Sequence, residues 1–143
     1  MQSPLTLIMR IKSPEACVQL QALLHRIQSA PPGKNPIWNA LDKLLTVHFA
    51  RFVFLENNTR LAVITTYDGS FDDYINDFID AIGDVFNSLL QFMEGAPPLP
   101  IQQHRQAFLD YVRANDLRAL EPFYAAYPTA TVVTIKASLE DQV

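Results

Sequence analysis

The sequence predicts an α+β domain built on one antiparallel sheet with its helices on one face. Three observations carry this expectation. Residues 46–55 and 60–67 are two apolar, β-branched and aromatic runs that flank an Asn57-Asn58 turn, the pattern of a hairpin. Residues 14–28 and the stretch from Phe71 to Met93 repeat apolar side chains at helical spacing. Further strand-like segments stand near each end of the chain, at residues 5–11 and 129–137.

Each element has a local signal. In the first strand Leu5, Leu7, Met9 and Ile11 alternate, with Ile8 on the opposite face. Ser13, Pro14 and Glu15 then form a helix start: a cap, a residue with preset φ, and an acid at the positive end of the dipole. Cys17, Leu20, Leu24 and Ile27 make the buried stripe of that helix, widened by Leu23. Prolines and Gly33 punctuate a loop over residues 30–36, and Ile37, Leu41 and Leu44 predict a short helix before the hairpin. Ser70 with Asp73 opens the long helix as an acidic capping box. Gly83 inside it predicts a kink or a close packing contact, and Gly95 a stop. Pro97, Pro98 and Pro100 stiffen a crossing segment, residues 101–114 read as a helix, and a short helix is expected from about Glu121. Val132 and Val133 then stand in a last strand, residues 129–137.

Composition bounds the function. The chain has 143 residues, 49% hydrophobic and 18% charged, which predicts one domain with a sizeable core and no need of staples. A net charge of −4 and the lack of any Lys/Arg run argue against nucleic acid or an anionic membrane surface as partner. Cys17 is the sole cysteine, so no internal disulfide forms, which fits a reducing, cytoplasmic setting. The opening residues lack the pattern of a secretory signal, and no apolar run approaches the ~20 residues of a membrane span.

Without its short insertions the predicted order is βαββαβ, which resembles the ferredoxin-like fold, a four-stranded antiparallel sheet with helices on one face. The hairpin strands are apolar on both faces: Val47, Phe49, Val53 and Leu55 on one, Ala50, Phe52 and Phe54 on the other. Strands of that kind want cover on both faces. A second subunit's sheet supplies it in one reading, giving a homodimer. In the other, residues 37–44 and 121–127 fold back over a monomer's open face. Sheet-to-sheet pairing would make the chain resemble the dimeric α/β-barrel superfamily. The stretch His48-Phe49-Ala50-Arg51-Phe52 with Tyr67-Asp68-Gly69 is similar to a pattern in uncharacterised bacterial proteins of that kind. The superfamily includes haem-dependent enzymes and cofactor-free monooxygenases, so the resemblance admits haem, although no haem or monooxygenase motif stands in the sequence.

The candidate chemistry centres on the hairpin. His48 and Arg51 are polar residues in an otherwise apolar strand, where a polar group must be paired or face a cavity. With Asn57-Asn58 at the centre of the hairpin, His48 is predicted opposite Tyr67, and Arg51 opposite Ile64 on the other face. One reading makes His48 an acid–base group or ligand oriented by Tyr67, and Arg51 a holder of an anionic group. The other makes His48 a satisfied, half-buried histidine and Arg51 the partner of a helix carboxylate. Phe52, Phe54 and Val63 are the expected lining of a pocket for a small apolar or aromatic ligand, with Asp68 at the sheet end as a ligand-binding or turn residue. Asp72, Asp73, Asp77, Asp80 and Asp84 read as a solvated helix face rather than a metal site, and no histidine has metal-ligand spacing. His104 is the remaining candidate for a haem ligand, and Cys17 reads as a core thiol. No phosphate-binding glycine loop and no nucleophile elbow are present.

Overall fold

The computed structural model describes residues 1–140. Its elements are β1 (Gln2–Arg10), α1 (Pro14–Gln28), α2 (Pro36–Leu44), β2 (Val47–Leu55), β3 (Arg60–Asp68), α3 (Phe71–Leu90), a 3-10 turn (Ile101–Gln103), α4 (Arg105–Asn115) and α5 (Val132–Glu140). Three antiparallel strands form one sheet in the order β1-β3-β2. The fold is α+β, as predicted.

Local signals place most of these elements. Ser13 accepts from Ala16 N–H, and α1 starts at Pro14. Asn35 caps α2 through Ile37 and Trp38 N–H, and Ser70 caps α3 through Asp73 N–H. Each side-chain oxygen satisfies backbone donors that a helix start leaves without an intrahelical partner. The hairpin turn is a four-residue loop in which Glu56, Asn57 and Asn58 all adopt positive φ.

The core lies between the helices and one face of the sheet. Leu5, Leu7 and Met9 of β1 alternate inward and pair across to Thr65, Val63 and Leu61 of β3. They meet Leu20 and Leu24 of α1, and Phe78, Phe86 and Leu89 of α3. Phe78, Phe86 and Phe108 form an aromatic cluster that ties α4 to α3, with centroids 4.6 Å apart for Phe78–Phe86 and 6.2 Å for Phe86–Phe108. Cys17 is buried in this core. Gly83 sits under the Gln102 side chain: a Cβ there would lie 2.5 Å from Gln102 Nε2. The departure from helical geometry falls one residue earlier, at Ile82.

The structure corrects the C-terminal part of the prediction. Residues expected as a fourth strand form helix α5 instead. The reason is a reciprocal cap: Thr131 Oγ1 accepts from Thr134 N–H, and Thr134 Oγ1 accepts from Thr131 N–H. Val132, Ile135 and Leu139 then fall at helical spacing, on the side of a cavity. The short helix expected near Glu121 is absent, and residues 117–127 run without helix or strand. The helix expected over residues 101–114 is split at His104 into the 3-10 turn and α4.

The outer edge of β1 is closed without a full strand. Leu7 bridges Asp116, Thr6 N–H donates to Asp116 Oδ1 (3.0 Å), and Leu117 N–H donates to Thr6 O (2.8 Å). Farther along, Ile11 bridges Met93, and Glu94 N–H donates to Arg10 O. These two short contacts satisfy edge groups that would otherwise invite pairing with another chain. No helix among the described residues is long and apolar enough to cross a membrane.

Candidate functional site: a buried histidine–aspartate pair beside a cavity

The hairpin register follows the sequence arithmetic from Leu55↔Arg60 up to Phe49↔Thr66 and then breaks. Val47, not His48, lies opposite Tyr67, so His48 is the extra residue of a β-bulge. A bulge re-aims a side chain. Here it brings the His48 ring to Asp68, the last residue of β3, with Nε2 2.7 Å from Oδ1. The two side chains are only 6% and 10% exposed, so water compensates little if the contact is lost.

Asp68 holds a second partner. Its Oδ2 accepts from Val132 N–H at 2.8 Å, the first amide of α5. A carboxylate at this place satisfies an unpaired helix donor and complements the positive end of the helix dipole. One carboxylate therefore joins the bulge in β2, the end of β3 and the start of α5.

The Asp68 contact also decides the chemistry of the imidazole. Against an ionised carboxylate, Nε2 carries the proton and donates. Neutral His48 then presents Nδ1 as an acceptor. Among the described residues Nδ1 has no hydrogen-bond partner, so it is the ring nitrogen left for a ligand. His48 forms part of the wall of a cavity of about 490 Å3. Trp38, Leu41, Phe49, Val132, Ile135 and Leu139 supply its apolar surface. Asp42 of α2 and Lys136 of α5 form an ion pair at its rim, 3.7 Å apart and largely open to solvent. The volume lies within the roughly 300–1,000 Å3 of small-molecule sites, and the mix of apolar walls with few polar groups is theirs too.

The other predicted site residues are not gathered here. Tyr67 points into the core and stacks on Tyr74 at 4.1 Å with a 13° interplanar angle, so it does not orient His48. Burial, helped by the negative charge of Asp116, pushes its phenol pKa up and keeps it protonated near neutrality. Arg51 lies opposite Ile64 as expected, but it is exposed and makes no ion pair among the described residues. Phe52, Phe54 and Val63 belong to the core packing between sheet and helices; they do not line the cavity beside His48. Phe52 instead borders a smaller space of about 220 Å3 between α1, α2 and β2.

The site residues that sequence reasoning missed include Trp38, Leu41, Asp42, Phe49, Val132, Ile135, Lys136 and Leu139. A strand period over residues 129–137 hides Val132, Ile135 and Lys136. The i, i+3, i+7 spacing of Val132, Ile135 and Leu139 is the signal that could have shown them.

The acidic face of α3 is exposed, with Asp72 and Asp80 pairing with Arg113 and Arg105. A haem needs an imidazole nitrogen facing a slot for the macrocycle. His104 is exposed between the 3-10 turn and α4 and lines none of the described cavities, so it offers no such slot. Compared with models of protein families, with curated proteins and with solved structures, the chain matches none.

Proposed function

We propose that this protein binds a small apolar or aromatic molecule in the cavity between α2, β2 and α5, with His48 as the principal polar contact. One observation carries the reading: a desolvated His48–Asp68 pair stands in the wall of a largely apolar cavity of about 490 Å3, with Nδ1 of His48 left without a partner among the described residues. A buried imidazole oriented by a carboxylate beside open space is the arrangement expected of an acid–base or binding group.

Trp38 lines the cavity and is the only tryptophan in the chain, so its fluorescence reports occupancy. Titration with small neutral aromatics is expected to give a saturable change. Ala50→Phe, which adds bulk at the cavity wall, is expected to abolish it. Wild-type protein that gives no saturable change with any member of such a panel refutes the reading.

The same proposal includes a homodimer of ferredoxin-like units, related to the dimeric α/β-barrel arrangement. The strand order β1-β3-β2, with Asp116 and Leu117 on the outer edge of β1, supports that lineage as a sheet whose fourth strand has shrunk to one bridge. The half-exposed Ile8, Val53, Leu55 and Ile64 on the face away from the helices support pairing, as do the exposed Phe49, Leu117, Leu120 and Tyr124. Sedimentation equilibrium at micromolar concentration is expected to give twice the chain mass, and Val53→Lys to give a monomer. A monomeric wild type removes this part and leaves the ligand site standing. A dimer with no ligand response leaves a non-catalytic interaction module, the second reading.

A further inference from the structure

Resting on that ligand-site reading, we infer that the ligand is an aromatic weak acid, a planar ring bearing an acidic hydroxyl, and that the site takes it up as its anion with the proton on His48 Nδ1. The argument starts from the hydrogen-bond inventory. Nε2 of His48 donates to Asp68, so neutral His48 offers the cavity an acceptor and no donor. A ligand that satisfies it must therefore bring a proton of its own.

Four titratable groups face or back this space: Asp42 on α2, His48 on β2, Asp68 on β3 and Lys136 on α5. The Asp68 carboxylate holds Nε2–H behind the ring, so Nδ1 is the place left on the imidazole for an arriving proton. Among the described residues the Lys136 ammonium, on the cavity rim, pairs with Asp42 by a 3.7 Å contact between largely open side chains, and it is available to an anionic oxygen. Proton transfer then balances simply. The ligand O–H bond breaks, its electron pair stays on oxygen, the proton forms a bond to Nδ1, and the ring keeps its Nε2–H on Asp68. The remaining walls are aliphatic or aromatic, with Trp38 and Phe49 71% and 76% exposed, and these suit the flat apolar remainder of the ligand.

The test uses two probes of nearly equal shape, 4-nitrophenol and 4-nitroanisole, with the full chain at a pH below the phenol's own pKa, where the free probe is colourless. Binding is followed by Trp38 fluorescence and equilibrium dialysis, and ionisation by the phenolate band. The expected result is a phenolate band that grows with bound protein, and binding of 4-nitrophenol about tenfold tighter than of 4-nitroanisole, the worth of one charge-assisted hydrogen bond. In His48→Gln the band and the preference should vanish while 4-nitroanisole still binds, which also reports an intact fold. Equal binding of the two probes, with the phenol staying colourless, overturns this inference and leaves the ligand-site reading intact. Binding of neither overturns both. A phenolate preference that survives His48→Gln overturns the role given to His48. If that variant does not fold, the comparison of the two probes in wild type decides alone.

Discussion

Replacing Asp68 by asparagine should loosen α5 without unfolding the domain. The carboxylate serves two donors with two oxygens, His48 Nε2–H at 2.7 Å and Val132 N–H at 2.8 Å. An amide has one carbonyl oxygen. Turned to serve Val132 N–H, it presents its NH2 to His48, whose Nε2 can accept only after the ring proton moves to Nδ1. Either way both bonds lose their charge assistance and the α5 N-terminus loses its facing carboxylate, at a cost of about 2 kcal/mol. The loss concentrates on α5, because little else holds that helix. Val132 is its only buried residue, and the Lys136–Asp42 pair is exposed enough to contribute at most ~1 kcal/mol. The assay is amide hydrogen exchange of Lys136 to Glu140. A drop of about 2 kcal/mol in local opening free energy speeds exchange there roughly 30-fold, while strand amides of β1 and β3 change little. His48→Ala provides the contrast, since it leaves Val132 N–H its acceptor and should speed α5 exchange much less. Exchange of α5 in Asp68→Asn within about twofold of wild type would show that the carboxylate is not what anchors the helix.

Two further outcomes follow from the packing. Gly83→Ala should not give the roughly 1 kcal/mol stabilisation usual for a helix-interior glycine, because the new methyl meets Gln102, whose amide donates to Asp84 and accepts from Asn87. In a Gln102→Ala background the same change should stabilise by about that amount, and a double-mutant cycle by urea denaturation that shows no coupling would remove the explanation. Tyr74 is buried and stacked, and burial, opposed by its bond with Thr65, raises its phenol to about 12 from 10.0. The folded state thus disfavours tyrosinate: the contribution is fully present below pH 10 and is lost as pH rises through about 12, amounting to roughly 3 kcal/mol. Urea midpoints should fall steeply over that window in wild type and less steeply in Tyr74→Phe; equal slopes would place the alkaline sensitivity elsewhere.

Much of the architecture is legible in the chain because it is written in short-range chemistry. Ser13, Asn35 and Ser70 cap their helices with their own side chains, and alternation in β1 and the Asn57-Asn58 turn set the inward faces and the hairpin register as far as Phe49. These are interactions between residues a few positions apart, so the order of residues suffices to find them. Where sequence reasoning fails, a local preference meets a distant partner. The β-branched residues 131–135 favour a strand in isolation; the reciprocal Thr131–Thr134 cap is local, but Val132 N–H is satisfied by a carboxylate 64 residues away. The outer edge of β1 is likewise closed by Asp116 and Leu117, so a fourth strand is not needed there.

The candidate site divides along the same line. The sequence alone singles out His48 and Asp68, since a polar residue in an apolar strand and an acid at its partner's end are visible without coordinates. It pairs His48 with the wrong residue, because a one-residue bulge shifts every neighbour and leaves no periodic mark. Only the tertiary structure turns the imidazole onto Asp68, sends Tyr67 into the core against Tyr74, and brings α2 and α5 together beside His48. Capping, alternation and turns act within a few residues and are fixed by chain order. A cavity is bounded by side chains from separate parts of the chain, and its walls exist only once the chain has folded around them.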